Sequence, residues 1–176
     1  MKAIIDCGGW KGDSVQKLRD KFGDCTVHTF ECVPCFFQYY ENMTNHILHK
    51  KAVWIYDGKT TIYLQDNELW DGHSLCIEKK VDPIIAVKHP FEVDCIDFSS
   101  WVINTFSKDD ELYLKMNIEG AEYKVLDKML TDNSIDYFKT AIIHFHQPRY
   151  PDIVSKEDHE RILKAVIGRI KIETSG

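Results

Sequence analysis

Ala3-Ile4-Ile5-Asp6-Cys7-Gly8-Gly9-Trp10-Lys11-Gly12-Asp13-Ser14 is the stretch whose reading decides the fold. An apolar run leads into three glycines within five residues, and residues suited to a helix start follow. That order describes a buried strand, a tight turn and a helix N-terminus. Glycine leaves no side chain between backbone and ligand, and a helix start offers N–H groups to an anion or polar group. Outward from the turn, the strand extends over residues 2–6. Val15, Leu18 and Phe22 have the spacing of a buried helical stripe. Asp13 with Gln16 is expected to cap that helix, and Gly23 to end it. Thr26–Glu31 then reads as a second strand closed by an acid. The unit is βαβ, right-handed by default. Glu31 at its end is placed to accept hydrogen bonds from both hydroxyls of a ribose.

Downstream, Pro34 is expected to open a second helix with Phe36, Phe37, Tyr40 and Met43 facing inward. Ala52-Val53-Trp54 reads as the third strand, and Asp57-Gly58 as a hairpin turn into Thr61–Leu64. Residues 65–83 read as a long polar loop around Asp71-Gly72-His73-Ser74, and such loops are usually functional. Phe91–Ile96 is a strand, and Asp97 caps a short helix carrying Trp101, Val102 and Phe106. Leu112–Met116 is a strong strand that runs into Asn117-Ile118-Glu119-Gly120-Ala121-Glu122. The helix after it buries Ala121, Val125, Leu126, Met129 and Leu130. Thr140–Phe145 is another strand, with His144 and His146 expected on one face. Ser155 and Asp158 form a capping box for a helix with Ile162, Val166 and Ile167 inward, and Ile170–Glu173 is a last strand. Alternating strands and helices give an α/β fold, a mostly parallel central sheet with helices on both faces. One domain over residues 1–176 is expected, compact in itself or cut from a larger protein.

The composition is that of a globular protein, 44% hydrophobic and 28% charged. The net charge of −6 argues against nucleic acid as a partner. There is no apolar run of membrane-spanning length, and Met1 opens a strand rather than a leader, so a cytoplasmic protein with no membrane partner is expected. Six cysteines stand at positions 7, 25, 32, 35, 76 and 95 and are expected to be reduced. Cys32 and Cys35 make a lone Cys-x-x-Cys, too little for a zinc or redox site. The oligomeric state is not legible.

The glycine spacing selects among nucleotides. A dinucleotide fingerprint would be Gly-x-Gly-x-x-Gly, and a phosphate loop would end in Gly-Lys-Ser/Thr. The chain has Asp6-x-Gly8-Gly9-x-x-Gly12 instead. An aspartate beside the turn repels a pyrophosphate and suits a cationic ligand, such as the amino and sulfonium groups of S-adenosyl-L-methionine. A nicotinamide-dependent oxidoreductase is the alternative that this spacing disfavours. Three strands end in polar residues suited to the ligand edge: Asp6, Glu31, and Lys115 with Asn117 and Glu119.

Four blocks carry a family resemblance. They are Ile5–Ser14, Phe30-Glu31-Cys32-Val33-Pro34, Val93-Asp94-Cys95-Ile96-Asp97, and Leu114-Lys115-Met116-Asn117-Ile118-Glu119-Gly120-Ala121-Glu122. The last is similar to a Lys-x-Asp-x-Glu-Gly-x-Glu block. Together they resemble the FkbM-type methyltransferases, and Gly72-His73-Ser74 is weakly similar to a further region of that family. The resemblance spans residues 3 to about 146. It implies a Rossmann-like class I fold, S-adenosyl-L-methionine as cofactor, and methyl transfer to a hydroxyl of a sugar, glycan or other small molecule. The cofactor residues it implies are Asp6, Gly8, Gly9, Trp10, Gly12, Asp13, Ser14, Glu31, Cys32 and Asn117, with Trp54 either stacking on adenine or lying in the core. Among catalytic candidates, Glu119, His73 and His146 are possible bases, and Lys115 would stabilise an alkoxide or orient Glu119. Asn117 would hold the cofactor's amino group or the acceptor. Trp10 and Trp70 are aromatic surfaces for a sugar. No metal is expected, since His144 and His146 alone make a weak ligand pair.

The chain departs from the family in three places. Asn117 stands where the family usually has aspartate, and the strand leading to His144 and His146 commonly carries an acid in relatives. The antiparallel edge that the fold usually gains from later strands is not expected here. These departures leave open a module that binds the cofactor without turnover.

Overall fold

A computed structural model describes residues 1–65, 73–75, 88–147 and 151–173. The elements are β1 (Lys2–Cys7), α1 (Asp13–Phe22), β2 (Thr26–Phe30), β3 (His46–His49), β4 (Ala52–Trp54), β5 (Gly58–Gln65) and β6 (Lys88–Asp97). Then follow α2 (Phe98–Thr105), β7 (Glu111–Met116), α3 (Glu122–Thr131), β8 (Phe138–Ile143), α4 (Lys156–Ile167) and β9 (Lys171–Glu173). Two short 3-10 segments, Pro34–Tyr40 and Ser134–Tyr137, join them.

The main sheet has six strands in the order β3-β2-β1-β7-β8-β9, and every neighbouring pair is parallel. β1 sits inside and is buried from Ala3 to Cys7, which is why its sequence is apolar without alternation. Its two sets of side chains enter two cores. Ala3, Ile5 and Cys7 join Leu112, Leu114, Met116, Ala141 and Ile143 under α2, α3 and α4. Ile4, Val27 and Ile142 join Val15, Leu18 and Phe22 of α1. Helices therefore cover both faces, as the alternating pattern predicts. The chain builds from β1 outward to β3, then returns to the centre and builds from β7 to β9. The strand order reverses between β1 and β7, and in open α/β sheets the crevice at that switch point is the ligand site.

A second sheet has the order β4-β6-β5, with β4 parallel and β5 antiparallel to β6. Ala52, Ile62, Val93 and Cys95 pack with Val33 and Phe36 in a third core cluster. The sheet thereby stands over the carboxyl end of β2 and walls the crevice.

Several local expectations are corrected. Gly12, not Asp13, takes the cap position of α1. It does so in a left-handed conformation (φ 79°) with no side-chain cap, and Asp13 is the first helical residue. The Pro34 segment is a 3-10 turn, and only Phe36 and Tyr40 of its aromatic stripe are buried. The third strand of the main sheet is His46–His49. It is an edge strand with mixed burial and no continuous apolar run to mark it. Ala52–Trp54 belongs to the small sheet, so Asp57-Gly58 is not a hairpin turn between β4 and β5: β6 lies between them. β8 ends at Ile143, which puts His144 and His146 in the following loop rather than on a strand face. Ile167 is 57% exposed and leaves the stripe of α4. The caps of α2 and α4 stand as read: Asp97 accepts from Ser100 N at 3.1 Å and Ser155 from Asp158 N at 3.0 Å. Most of the 65–83 loop, with Trp70 and Gly72, lies outside the described residues, as does Cys76.

Candidate functional site

The turn after β1 folds on itself. Gly8, Trp10 and Gly12 all have positive φ, at 82°, 50° and 79°. Gly8 N and Gly9 N donate to the Phe30 carbonyl, and Gly12 N donates to the Gly9 carbonyl. Trp10 N donates to Glu31 Oε2 at 2.8 Å. The N–H groups that the glycine pattern offers to a ligand are therefore spent within the protein. What the turn places at the crevice is the Trp10 ring, edge-on to Phe36 at 6.3 Å with the Lys11 ammonium 4.4 Å from its centroid.

A cavity partly open to solvent lies at the carboxyl ends of β1, β2 and β7. Gly8, Trp10, Glu31, Cys32, His73, Asn117 and Glu119 line it, with Val33, Phe36, Ala52 and Ile62 from the small-sheet cluster. The structure thus brings together seven of the residues singled out in the sequence. Glu31 is its anion. Both carboxylate oxygens are held, Oε2 by Trp10 N and Oε1 by Val33 N, each at 2.8 Å. Burial pushes this carboxyl up to about 7, against the downward pull of those amides. Two lining residues each carry a buried polar atom with no hydrogen-bond partner among the described residues: Asn117 Oδ1, an acceptor, and Trp10 Nε1, a donor. Cys32 contributes a thiol that burial holds in its neutral form.

Other predicted residues stand elsewhere. Asp6 is fully buried, its Oδ1 lies 2.9 Å from Lys115 Nζ, and its Oδ2 accepts from Ser14 Oγ at 2.7 Å. Lys115 also donates to the Gly8 carbonyl at 2.6 Å. Asp6, Ser14 and Lys115 form a polar cluster beneath the turn that ties β1 to β7, as a buried lysine and aspartate require. Gly9, Gly12 and Asp13 are not on the cavity wall either. Trp54 is part of a neighbouring groove with Tyr63, Tyr123 and Lys124, whose ammonium is 5.4 Å from the Trp54 centroid.

The loop from β7 to α3 builds the opposite wall. Glu119 is 8% exposed and adopts φ 53°, a left-handed conformation uncommon for a residue with a side chain. Its carbonyl accepts from Ser74 Oγ at 2.6 Å, which fixes the 73–75 segment over the site. His73 stacks on Phe36 at 6.0 Å. Glu119 Oε1 faces His146 Nε2 at 3.3 Å, and His146 Nδ1 faces Glu122 Oε1 at 2.7 Å. Burial alone would lower the His146 imidazole, but its hydrogen bonds to Glu119 and Glu122 outweigh this and raise it to about 9. Glu122 is the participant that sequence reasoning missed. An acid in the first turn of a helix reads as a match to the helix dipole, and only the loop geometry reveals its partners. Among the described residues there is no cluster of three or more metal-ligating side chains. No helix among them is long and apolar enough to cross a membrane.

A parallel sheet with its pocket at the switch point defines a Rossmann-like α/β protein. The methyltransferase FkbM domain matches residues 6–166, and the chain belongs to that family of methyltransferases. No curated protein and no solved structure matches the chain.

Proposed function

We propose that the chain is an S-adenosyl-L-methionine-dependent O-methyltransferase acting on a hydroxyl of a sugar or glycan. The observation that carries the reading is the cavity lining, which holds the buried carboxyl of Glu31 together with Asn117 and Trp10, each of these two with an unpaired buried polar atom. These groups fit the cofactor: Glu31 accepts from ribose hydroxyls, and Asn117 Oδ1 and Trp10 Nε1 answer the polar groups of the methionine moiety. Asn117 serves here as a neutral acceptor where the family usually has a carboxylate.

When bound, S-adenosyl-L-methionine supplies a methyl group activated by a sulfonium. The protein's part is to hold the acceptor and take its proton. An alcohol is a weak nucleophile near neutral pH, and a positioned base contributes about 100-fold or more. Glu119 is the carboxylate on the cavity wall opposite Glu31 and is the group we assign to accept that proton. The apolar floor of Phe36, Val33 and Ile62 excludes water from one side of the site. Lys115 is engaged with Asp6 and Gly8 and holds the two strand ends together, a role in shape rather than in proton transfer.

The test is transfer of a tritiated methyl group from S-adenosyl-L-methionine to a panel of glycosides and glycans. Label is expected in at least one saccharide, with the rate reduced about 100-fold in Glu119→Gln. No transfer to any member, or an undiminished rate in the variant, contradicts the reading.

A further inference from the structure

Glu119 is one end of a chain of three groups, and its other end is fully buried. Glu122 has 0% exposure, and its carboxylate receives three donors. Ile118 N donates to Oε1 at 3.0 Å, Gly120 N to Oε2 at 2.7 Å, and His146 Nδ1 lies 2.7 Å from Oε1. The two amides flank Glu119 in the chain. Gly120 (φ 99°) and Glu119 (φ 53°) are consecutive left-handed residues, and that bend turns both amides toward Glu122. One carboxylate thus sets the backbone conformation of Glu119.

The same carboxylate also reaches Glu119 through the imidazole. A neutral imidazole has a single N–H, so one of its nitrogens would turn a lone pair toward a carboxylate. His146 has an oxygen of Glu122 at Nδ1 and an oxygen of Glu119 at Nε2, and only the imidazolium donates to both. The segment bearing His146 is fixed independently, because Gln147 N donates to the Tyr123 hydroxyl of α3 at 3.0 Å. Among the described residues, the other charged or titratable groups around it are His144 beside the ring, the Tyr123 hydroxyl, and Lys115, which is paired with Asp6.

We propose that Glu122 and His146 are positioning residues for Glu119: Glu122 anchors the His146 imidazolium, and the imidazolium holds the Glu119 carboxylate on the cavity wall. The inference rests on Glu119 as the proton acceptor of the proposed reaction. It adds a charge requirement that a packing role for Glu122 would not have. A buried Glu122 that merely capped the loop would be indifferent to the protonation of His146.

The experiment is NMR of isotope-labelled histidine ring nitrogens in the full chain, as wild type and as Glu122→Gln, over a pH series. In the wild type both His146 nitrogens are expected at imidazolium shifts at about pH 7. In Glu122→Gln the titration midpoint is expected to fall by more than about one pH unit. Affinity for S-adenosylhomocysteine, read by calorimetry, is expected to stay within about threefold, since the nucleoside wall is untouched. A neutral, single-tautomer His146 in the wild type at that pH overturns the proposal, as does an unchanged midpoint in the variant. If Glu122→Gln does not fold, the wild-type ring shifts decide alone, with His146→Gln assigning the signal. Absence of S-adenosylhomocysteine binding in the wild type would instead refute the cofactor reading, and the ring shifts would still decide the charge chain.

Discussion

Gly8 shows how one residue can be required for a reason other than the apparent one. A Cβ there would lie 2.0 Å from the Asn117 carbonyl oxygen, and the φ of 82° disfavours any side chain. A Cβ at Gly9 would lie 2.2 Å from Thr29 Cγ2. The glycines let the end of β1 approach β7 and β2, and the cavity forms beside that contact. Gly8→Ala is therefore expected to cost more than about 3 kcal/mol through overpacking and backbone strain. That corresponds to a fall in thermal midpoint of about 6–12 °C for a chain of this size, measured by circular dichroism. A change below about 2 °C would contradict the packing role. A glycine needed for a ligand and one needed for chain approach look alike in a sequence. For that reason the position was legible and its cause was not. Glu31 was legible in place and type because it ends a recognisable βαβ unit. Glu122 was not, because its partners Ile118 N, Gly120 N and His146 are assembled by a left-handed bend that no spacing rule reveals.

At the scale of elements, features set by near neighbours were readable. The Asp97 cap of α2 is local, three residues from its partner amide. Asp97→Ala is expected to destabilise by about 1 kcal/mol, a loss of about 2–4 °C in thermal midpoint. An unchanged midpoint would show that neither this cap nor the ion pair of Asp97 with Lys128 contributes to stability. The Ala3-Ile4-Ile5 core of β1 was equally plain, since a strand buried on both sides carries a continuous apolar run. Elements defined by distant pairing were not. His46–His49 is an edge strand whose polar ends hide it, and its His49 imidazole is lowered to about 4, chiefly by burial. β4 and β5 look like the two arms of a hairpin until β6, which begins 23 residues after β5 ends, is found between them. The end of β8 was misplaced by two residues, and that error hid the loop position from which His146 reaches both acids.

Over the whole molecule, function follows from where the sheet changes direction. The chain leaves β1 to one side and β7 to the other, and the gap between them is filled at its base by Asp6 and Lys115 and opened above as the cavity. The small sheet adds an apolar wall, and the loop after β7 adds Glu119. The FkbM family match, over residues 6–166, covers the turn after β1 and the Lys115–Glu122 block alike. In the function proposed above, Glu31 is the group on which nucleoside recognition depends. Hydroxyl donors on a ligand favour its ionised form, and its carboxyl titrates at about 7 in the unliganded protein. Below that value binding must first remove a proton, so affinity is expected to rise with pH. The most direct measurement is isothermal titration calorimetry with S-adenosylhomocysteine on the wild type and Glu31→Gln, at about pH 6 and about pH 8. Saturable binding is expected in the wild type, tighter at the higher pH. In Glu31→Gln it is expected to weaken by about tenfold or more and to lose its pH dependence, because a charge-assisted hydrogen bond is worth about 1.5–3 kcal/mol. No binding by the wild type at millimolar ligand, or binding by the variant as tight as that of the wild type at both pH values, would contradict the assignment of this cavity to the methyl donor.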